Sequence, residues 1–352
     1  MTIFEFTLVG SFGSILKYYG IVIILIWIII RLTDKKNIII VNSIMLFALW
    51  LFISFISILW SSDKSLGIYY FFAVANMVTI SFMIVNINWK DEDVDRIKLL
   101  IEFSGMIYSF LMVTRKNLYH GEGIRYTLML FGIEEDPNNI AGLLIPSSLI
   151  VLNCIVEGNK KYSIIHILAL FIILTIIIMA GSRGGISALL IGIITYIILY
   201  FTRRTKIVMR SLFYYLQKPI NIKKGIYFFM FVFAILVFIN YIGVSINIEL
   251  LNRINFKNII SNNDGGSERL SIWQTGWTVF KQTNLVGVGL GGSGVILGKG
   301  VHNQYLRILI ESGIIALGLF VSAILALLYK LNKNNNILGL SIIISMLVLI
   351  FF

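Results

Sequence analysis

The amino-acid sequence predicts an all-α integral membrane protein: a polytopic bundle of about ten transmembrane helices, with one large extracytoplasmic loop containing an amphipathic helix. Three observations predict it. Of the 352 residues, 58% are hydrophobic and 13% charged, about half the charged share of soluble domains. With a mean hydropathy of +0.90, such a chain would aggregate in water, so lipid is its expected solvent. Apolar runs long enough to cross a bilayer recur along the chain. Lys and Arg gather in alternate connections between them. The formal charge of +12 would suggest nucleic acid in a soluble protein. Here the loops account for it, and no nucleic-acid partner is expected. Three prolines and one cysteine suit long helices without a disulfide framework. Cys154 lies in an apolar run and reads as a packing residue.

A single transmembrane domain is expected over residues 1–352. The first five spans are placed at 15–31, 38–60, 66–87, 97–113 and 138–156. The others fall at 162–180, 185–201, 225–243, 303–330 and 337–352. Residues 4–14 form a short interfacial piece or lengthen the first span. The N-terminal run shows no secretory cleavage site and is followed by further spans, so it reads as an anchor. One set of connections carries Arg31, Lys35 and Lys36, then Lys90, Arg96 and Lys98, then Lys160 and Lys161. Farther along it carries the basic residues from Arg203 to Lys224, and then Lys330 and Lys333. That set is assigned to the cytoplasm. Both termini and two long loops, 114–137 and 244–302, then face outside.

Most polar residues with chemical potential fall on that outer side. His302 opens the stretch VHNQYLRILIESGIIALG. The eleven residues to Gly313 make about three helical turns, which places His302 and Gly313 on nearly the same face with Leu306, Leu309 and Ala316. Small residues there would admit a close neighbour. Asn303 orients a ligand or caps the helix. Arg307 and Glu311, on the opposite face, read as an ion pair turned from lipid. His120 and His166 are without comparable neighbours.

In GSRGG, 181–185, Ser182 is positioned to cap a helix, with Arg183 in its first turn. Free N–H groups, the dipole and a guanidinium together suit a phosphate, whereas a snorkelling arginine needs no ligand. Gly184 and Gly185 would let a bulky ligand approach. Within the stretch 267–292, Leu270, Trp273, Trp277 and Phe280 follow helical spacing, which reads as an amphipathic helix on the membrane or over a cavity. Ser267 would cap it, and Arg269 would be a second arginine at a helix start. The glycines at 287, 289, 291 and 292 read as a flexible hinge or turn; GVGLGG follows no βαβ pattern, which argues against a nucleotide site. The stretch RYTLMLFGIEEDPNNIAG begins with Arg125 and ends at a turn signal before a span. There Asn138 and Asn139 hydrogen-bond a sugar or cap the helix. Adjacent carboxylates Glu134, Glu135 and Asp136 rarely converge on a cation. No Cys or His cluster has metal-ligand spacing.

Taken together, these stretches resemble the O-antigen ligase and Wzy-type polysaccharide polymerase superfamily. The residues that carry the likeness are His302-Asn303 with Gly313, Ser182-Arg183-Gly184, Arg269 with Ile272-Trp273, Gly287-Val288-Gly289, and Pro137-Asn138. The layout of many spans, with a large outer loop before the histidine, also matches. The pattern prefers Gly, Thr or Tyr where this chain has Ala316, which is still small. Twelve spans are common in the superfamily, more than are read here.

The resemblance implies a GT-C-like glycosyltransferase in a bacterial cytoplasmic membrane, with its active site facing outward. The implied donor is a polyprenyl-diphosphate-linked oligosaccharide, with membrane lipid around it, and no metal or other cofactor is implied. A flippase and a chain-length regulator are implied partners. His302, Arg183 and Arg269 would be catalytic; Ser182, Asn303, Asn138, Arg125 and Trp273 would bind substrate. The chemistry is consistent with those residue types. Positive groups at helix starts stabilise a departing diphosphate, and a neutral histidine takes a hydroxyl proton near neutral pH or positions the acceptor. A repeat-unit polymerase is the leading expectation and a glycan ligase the alternative. A lipid-linked glycan transporter is the reading from another class, kept open by Arg307 and Glu311.

Overall fold

The computed structural model describes residues 9–10, 13–34, 38–114, 116–118, 126–130, 133–157, 163–208 and 269–351. The expected span at 225–243, Ser267, Arg125 and His120 lie outside these residues. A two-residue ladder, β1 (Val9–Gly10) with β2 (Gly13–Ser14), precedes helix α1 (Ile15–Asp34). Helix α2 (Asn42–Ser57) runs into a 3-10 turn at Ile58–Trp60 and is followed by α3 (Lys64–Val85) and α4 (Asp91–Thr114). Strands β3 (Lys116–Leu118), β4 (Tyr126–Leu130) and β5 (Ile133–Glu134) pair antiparallel in that order, within the first expected outer loop. Then come α5 (Pro137–Glu157), α6 (Ser163–Met179) and α7 (Arg183–Val208). After the 209–268 interval, α8 (Arg269–Gln282), the short α9 (Ser293–Leu297), α10 (Gln304–Lys333) and α11 (Ile337–Leu349) complete the described chain.

Every expected span within the described residues is helical. Six of these helices are long and apolar enough to cross a membrane: Asn42–Trp60, Lys64–Val85, Asp91–Thr114, Pro137–Glu157, Arg183–Arg203 and Gln304–Lys333. Three shorter apolar helices accompany them, at Gly20–Arg31, Ile164–Met179 and Ile337–Leu349. Their outward faces carry exposed Ile29, Phe72, Met77, Leu100, Ile164, Phe201 and Ile315. Exposed apolar helix faces of this kind are costly in water and suited to lipid. Helix starts follow local chemistry. Pro137 begins α5, where its missing N–H costs nothing, and Asp136 accepts from the Asn138 N–H at 2.7 Å. Asp63 caps α3 by accepting from Leu66 N at 2.9 Å.

The chain folds as two compact units. The first contains the described residues within Met1–Val94, Asn263–Asn334 and Ile350–Phe352. Helices α2 and α10 pack lengthwise around Trp50, Ile308 and Ala316, flanked by Phe47 and Phe320. A second cluster, Phe280, Val288, Val301, Leu309 and Ile310, fastens α8 onto the first half of α10.

Helix α10 is not regular. At Gly313 the backbone turns to φ 84°, ψ −179°, a conformation close to glycine-only. This break frees two carbonyls that an unbroken helix would use. Val288 N donates to Ile310 O and Gly289 N donates to Glu311 O, both at 2.8 Å, while Ile314 N donates to Leu285 O at 3.1 Å. A Cβ on Gly313 would lie 2.5 Å from Val286 O. The glycine stretch expected to be a hinge is therefore pinned. Trp60 Nε1 donates to Gly287 O at 3.1 Å, and Leu290 N donates to Ser57 Oγ at 3.1 Å. A Cβ on Gly289 would meet Ser61 Cα at 2.4 Å.

The second unit contains the described residues within Asp95–Asn262 and Asn335–Leu349. Helix α5 is its centre, with Ile140, Ala141, Leu144, Ile145, Leu149 and Val151 fully buried. It packs against α6, α7 and α11. Ser345 of α11 donates to Ala188 O of α7 at 2.6 Å, the short polar link that small residues allow between apolar helices.

Candidate active site

Within the first unit, the site is built around a short stretch ahead of α10. His302 is exposed, between Val301 at 3% exposure and Asn303 at 6%. Its φ is 50°, in the left-handed region that only a few per cent of non-glycine residues adopt. Its neighbours hold it there. Trp273 Nε1 donates to Val301 O at 2.9 Å. Gln304 N donates to Ile350 O at 2.9 Å, and Phe351 packs edge-on against Trp273 with centroids 5.6 Å apart. Asn303 Oδ1 accepts from Leu306 N at 3.0 Å, so its carbonyl oxygen caps α10.

This corrects the expected placement of His302. It does not lie on the helix with Gly313; it precedes the cap, and Gly313 interrupts the helix instead of continuing its face. The spacing of eleven residues therefore measures the length from a cap to a break. Trp273 contributes through its indole N–H and α8 packing. Arg269 is the first residue of α8, as expected, one turn before Trp273.

Behind this stretch lies a buried polar group. Glu311, 2% exposed, accepts from Arg307 Nε at 3.2 Å and from Ser293 Oγ at 2.6 Å. The Arg307 guanidinium also sits over the Tyr70 ring, 4.2 Å from its centroid. The expected ion pair is present, and it ties α10 to α3 and α9. Ser293 and Tyr70 were not legible as its partners, because the contact joins positions more than 200 residues apart in the case of Tyr70.

Within the second unit, Ser182 is 1% exposed. Its Oγ accepts from Gly185 N at 2.9 Å and donates to Asn138 Oδ1 at 2.6 Å. One hydroxyl thus caps α7 and joins it to the start of α5. Arg183, half-buried, is the first residue of α7. The expected ligand access at Gly184 and Gly185 is corrected: Gly184 is buried, and a Cβ on Gly185 would lie 2.2 Å from Ala141 Cβ. There the missing side chain admits helix α5. Glu135 accepts from Asn139 Nδ2 at 2.7 Å, so the carboxylates of Glu135 and Asp136 are both engaged locally.

A further correction concerns His166. Its Nδ1 lies 2.7 Å from Glu102 Oε1, and Glu102, Cys154 and His166 bring their ligand atoms within 4.8 Å of one another. No local spacing signalled this, because the three residues come from three helices.

Residues 168–321 match a family model described as O-antigen ligase, a segment covering less than half of the chain. It includes Arg183, Arg269 and His302, and it supports the resemblance to the O-antigen ligase and Wzy-type superfamily. No curated protein and no solved structure matches the chain.

Proposed function

We propose that this chain, similar over residues 168–321 to the O-antigen ligase family, polymerises lipid-diphosphate-linked oligosaccharide repeat units of a surface or capsular polysaccharide. The reaction would occur at the outer face of the cytoplasmic membrane, without a catalytic metal. A hydroxyl of the acceptor sugar attacks the anomeric carbon of the donor. The new C–O bond forms as the bond to the lipid diphosphate breaks, with inversion. His302 takes the hydroxyl proton, and the diphosphate leaves with the electron pair of the broken bond.

The observation that carries the reading is the exposed imidazole of His302 within the matched segment, on a backbone clamped at Val301, Asn303 and Gln304. A rigid support and an accessible ring are the requirements for a positioned base. Arg183 and Arg269, each opening a helix, supply positive charge where N–H groups already favour anions. In this reading Ser182 and Asn138 fix the helix start that carries Arg183, Arg125 assists in donor binding, and Asn303 and Trp273 position His302.

Incubation of the purified protein with a lipid-diphosphate repeat unit tests the proposal. Wild-type protein is expected to yield a ladder of polymer, and full polymer length with His302→Ala would overturn the base assignment. The description of the matching family favours a second reading, in which the same donor is transferred to a different acceptor. Supplying a lipid A core acceptor separately distinguishes the two: a single transfer without a ladder means ligase.

A further inference from the structure

We propose that Glu102, Cys154 and His166 form a binding site for a borderline transition-metal cation of the Zn²⁺ class in the second unit. Glu102 lies midway along α4, Cys154 near the end of α5 and His166 near the start of α6. Their ligand atoms all lie within 4.8 Å of one another. Glu102 is 5% exposed. Its Oε1 meets His166 Nδ1 at 2.7 Å, but the buried Oε2 has no hydrogen-bond partner. A buried carboxylate oxygen left without a donor is costly, and a cation would satisfy it.

Cys154 and His166 stand on two helices packed along each other, α5 and α6. One turn beyond Glu102, a Cβ on Gly105 would lie 2.8 Å from Ser147 Cβ on α5 and 3.4 Å from Ile173 Cδ1 on α6. Ser147 Oγ donates to Ile101 O at 3.1 Å. The three helices thus meet one turn from Glu102 and about two turns from Cys154 and His166. Tetrahedral coordination by a thiolate, an imidazole and a carboxylate separates ligand atoms by about 3.5 Å, so the Glu102–His166 contact opens slightly while Cys154 swings in.

Ligand chemistry selects the cation. A thiolate and an imidazole favour Zn²⁺ or Co²⁺ over Mg²⁺ or Ca²⁺, which require oxygen shells. Charge balances as well: a divalent ion, one thiolate and one carboxylate sum to zero, the least costly state for a site among apolar helices. On binding, the thiol proton leaves to solvent. The hydrogen between Nδ1 and Oε1 moves to Nε2 of the same ring or to solvent. Lys98, one turn before Glu102, is already paired with Asp95 at 2.8 Å. Along α5, Cys154 is sixteen positions from Asn138, roughly 24 Å. The cation therefore fastens α4, α5 and α6 at a distance from the Ser182–Asn138 link and takes no part in glycosyl transfer.

Cys154 is the sole cysteine, so thiol alkylation of full-length protein in detergent reads this site alone. Zn²⁺ is expected to slow alkylation by about tenfold or more, with Mg²⁺ without effect. Co²⁺ is expected to give a thiolate-to-metal charge-transfer absorption at one ion per chain, displaced by Zn²⁺. His166→Gln and Glu102→Gln should each weaken the protection while the fold persists. An alkylation rate unchanged by excess Zn²⁺ overturns the proposal, as does full protection retained in both variants. Should the variants fail to fold, the wild-type protection and Co²⁺ spectrum decide the matter.

Discussion

The start of α7 and the start of α10 are both capped helix ends that carry candidate chemistry, and they are built in opposite ways. At α7 the cap is a buried side-chain link, Ser182 to Asn138, and the candidate Arg183 follows it inside the helix. At α10 the clamps are largely on backbone atoms, and the candidate His302 precedes the cap in a left-handed conformation. A charge meant to sit beside anion-binding N–H groups gains from being within the first turn. A base that must reach a sugar gains from being outside it, on a support that cannot relax. The first arrangement takes one distant partner, Asn138 at the start of α5, whereas the second needs α8 and the chain's last described residues to complete it.

The largest expected effect tests what holds the second arrangement. Gly313→Ala places a side chain against Val286 O at a φ that L-residues rarely adopt. Loss of about 3 kcal/mol or more is expected, read as a large drop in unfolding temperature and in folded yield. A variant as stable as wild type would mean the break is not fixed by residues 285–289.

Next in size is the effect of His302 on the reaction. His302→Ala should lower turnover by about 10²–10⁴-fold if the imidazole acts as a base. His302→Gly should be equally inactive yet as stable as wild type or more so, because glycine accepts the left-handed backbone. Equal loss of stability in both variants would show a structural role. Trp273→Phe removes the donor to Val301 O and should cost about 1 kcal/mol. It should lower kcat more than it raises KM, because only the placement of His302 changes.

At α7, Ser182→Ala strands both Gly185 N and Asn138 Oδ1, and a loss of about 1–3 kcal/mol is expected. A double-mutant cycle with Asn138→Ala should show strong coupling; additive effects would contradict the shared hydroxyl. The smallest effect belongs to Asp63, a charged cap at the start of α3. The Leu66 N–H and the Ser65 hydroxyl hold its carboxyl below the ordinary aspartate range. Its contribution is present above the unfolded-state value and fades as pH falls through the lower folded one. Asp63→Asn should cap as well at neutral pH and remove that acid dependence, measured by unfolding temperature against pH.

Much of this molecule was legible beforehand. The apolar runs located each described long helix, and Ser182 before Arg183 announced a cap, because hydropathy and capping depend on residues a turn or two apart. Gly313 was legible as important but misread, since an eleven-residue spacing looks the same whether the helix continues or breaks. The carbonyl partners that distinguish the two cases come from residues 285–289. Gly185 likewise looked like access for a ligand until Ala141 filled the space.

By itself, the sequence determined that this is a membrane protein of long apolar helices, with its candidate catalytic residues at helix starts. Each of those properties is set by transfer energy and local hydrogen bonding. Only the tertiary structure decided that His302 stands outside its helix, that Glu311 is shared by Arg307 and Ser293, and that Glu102, Cys154 and His166 converge. Those outcomes depend on which buried polar atoms find partners on other helices, a condition no local pattern encodes.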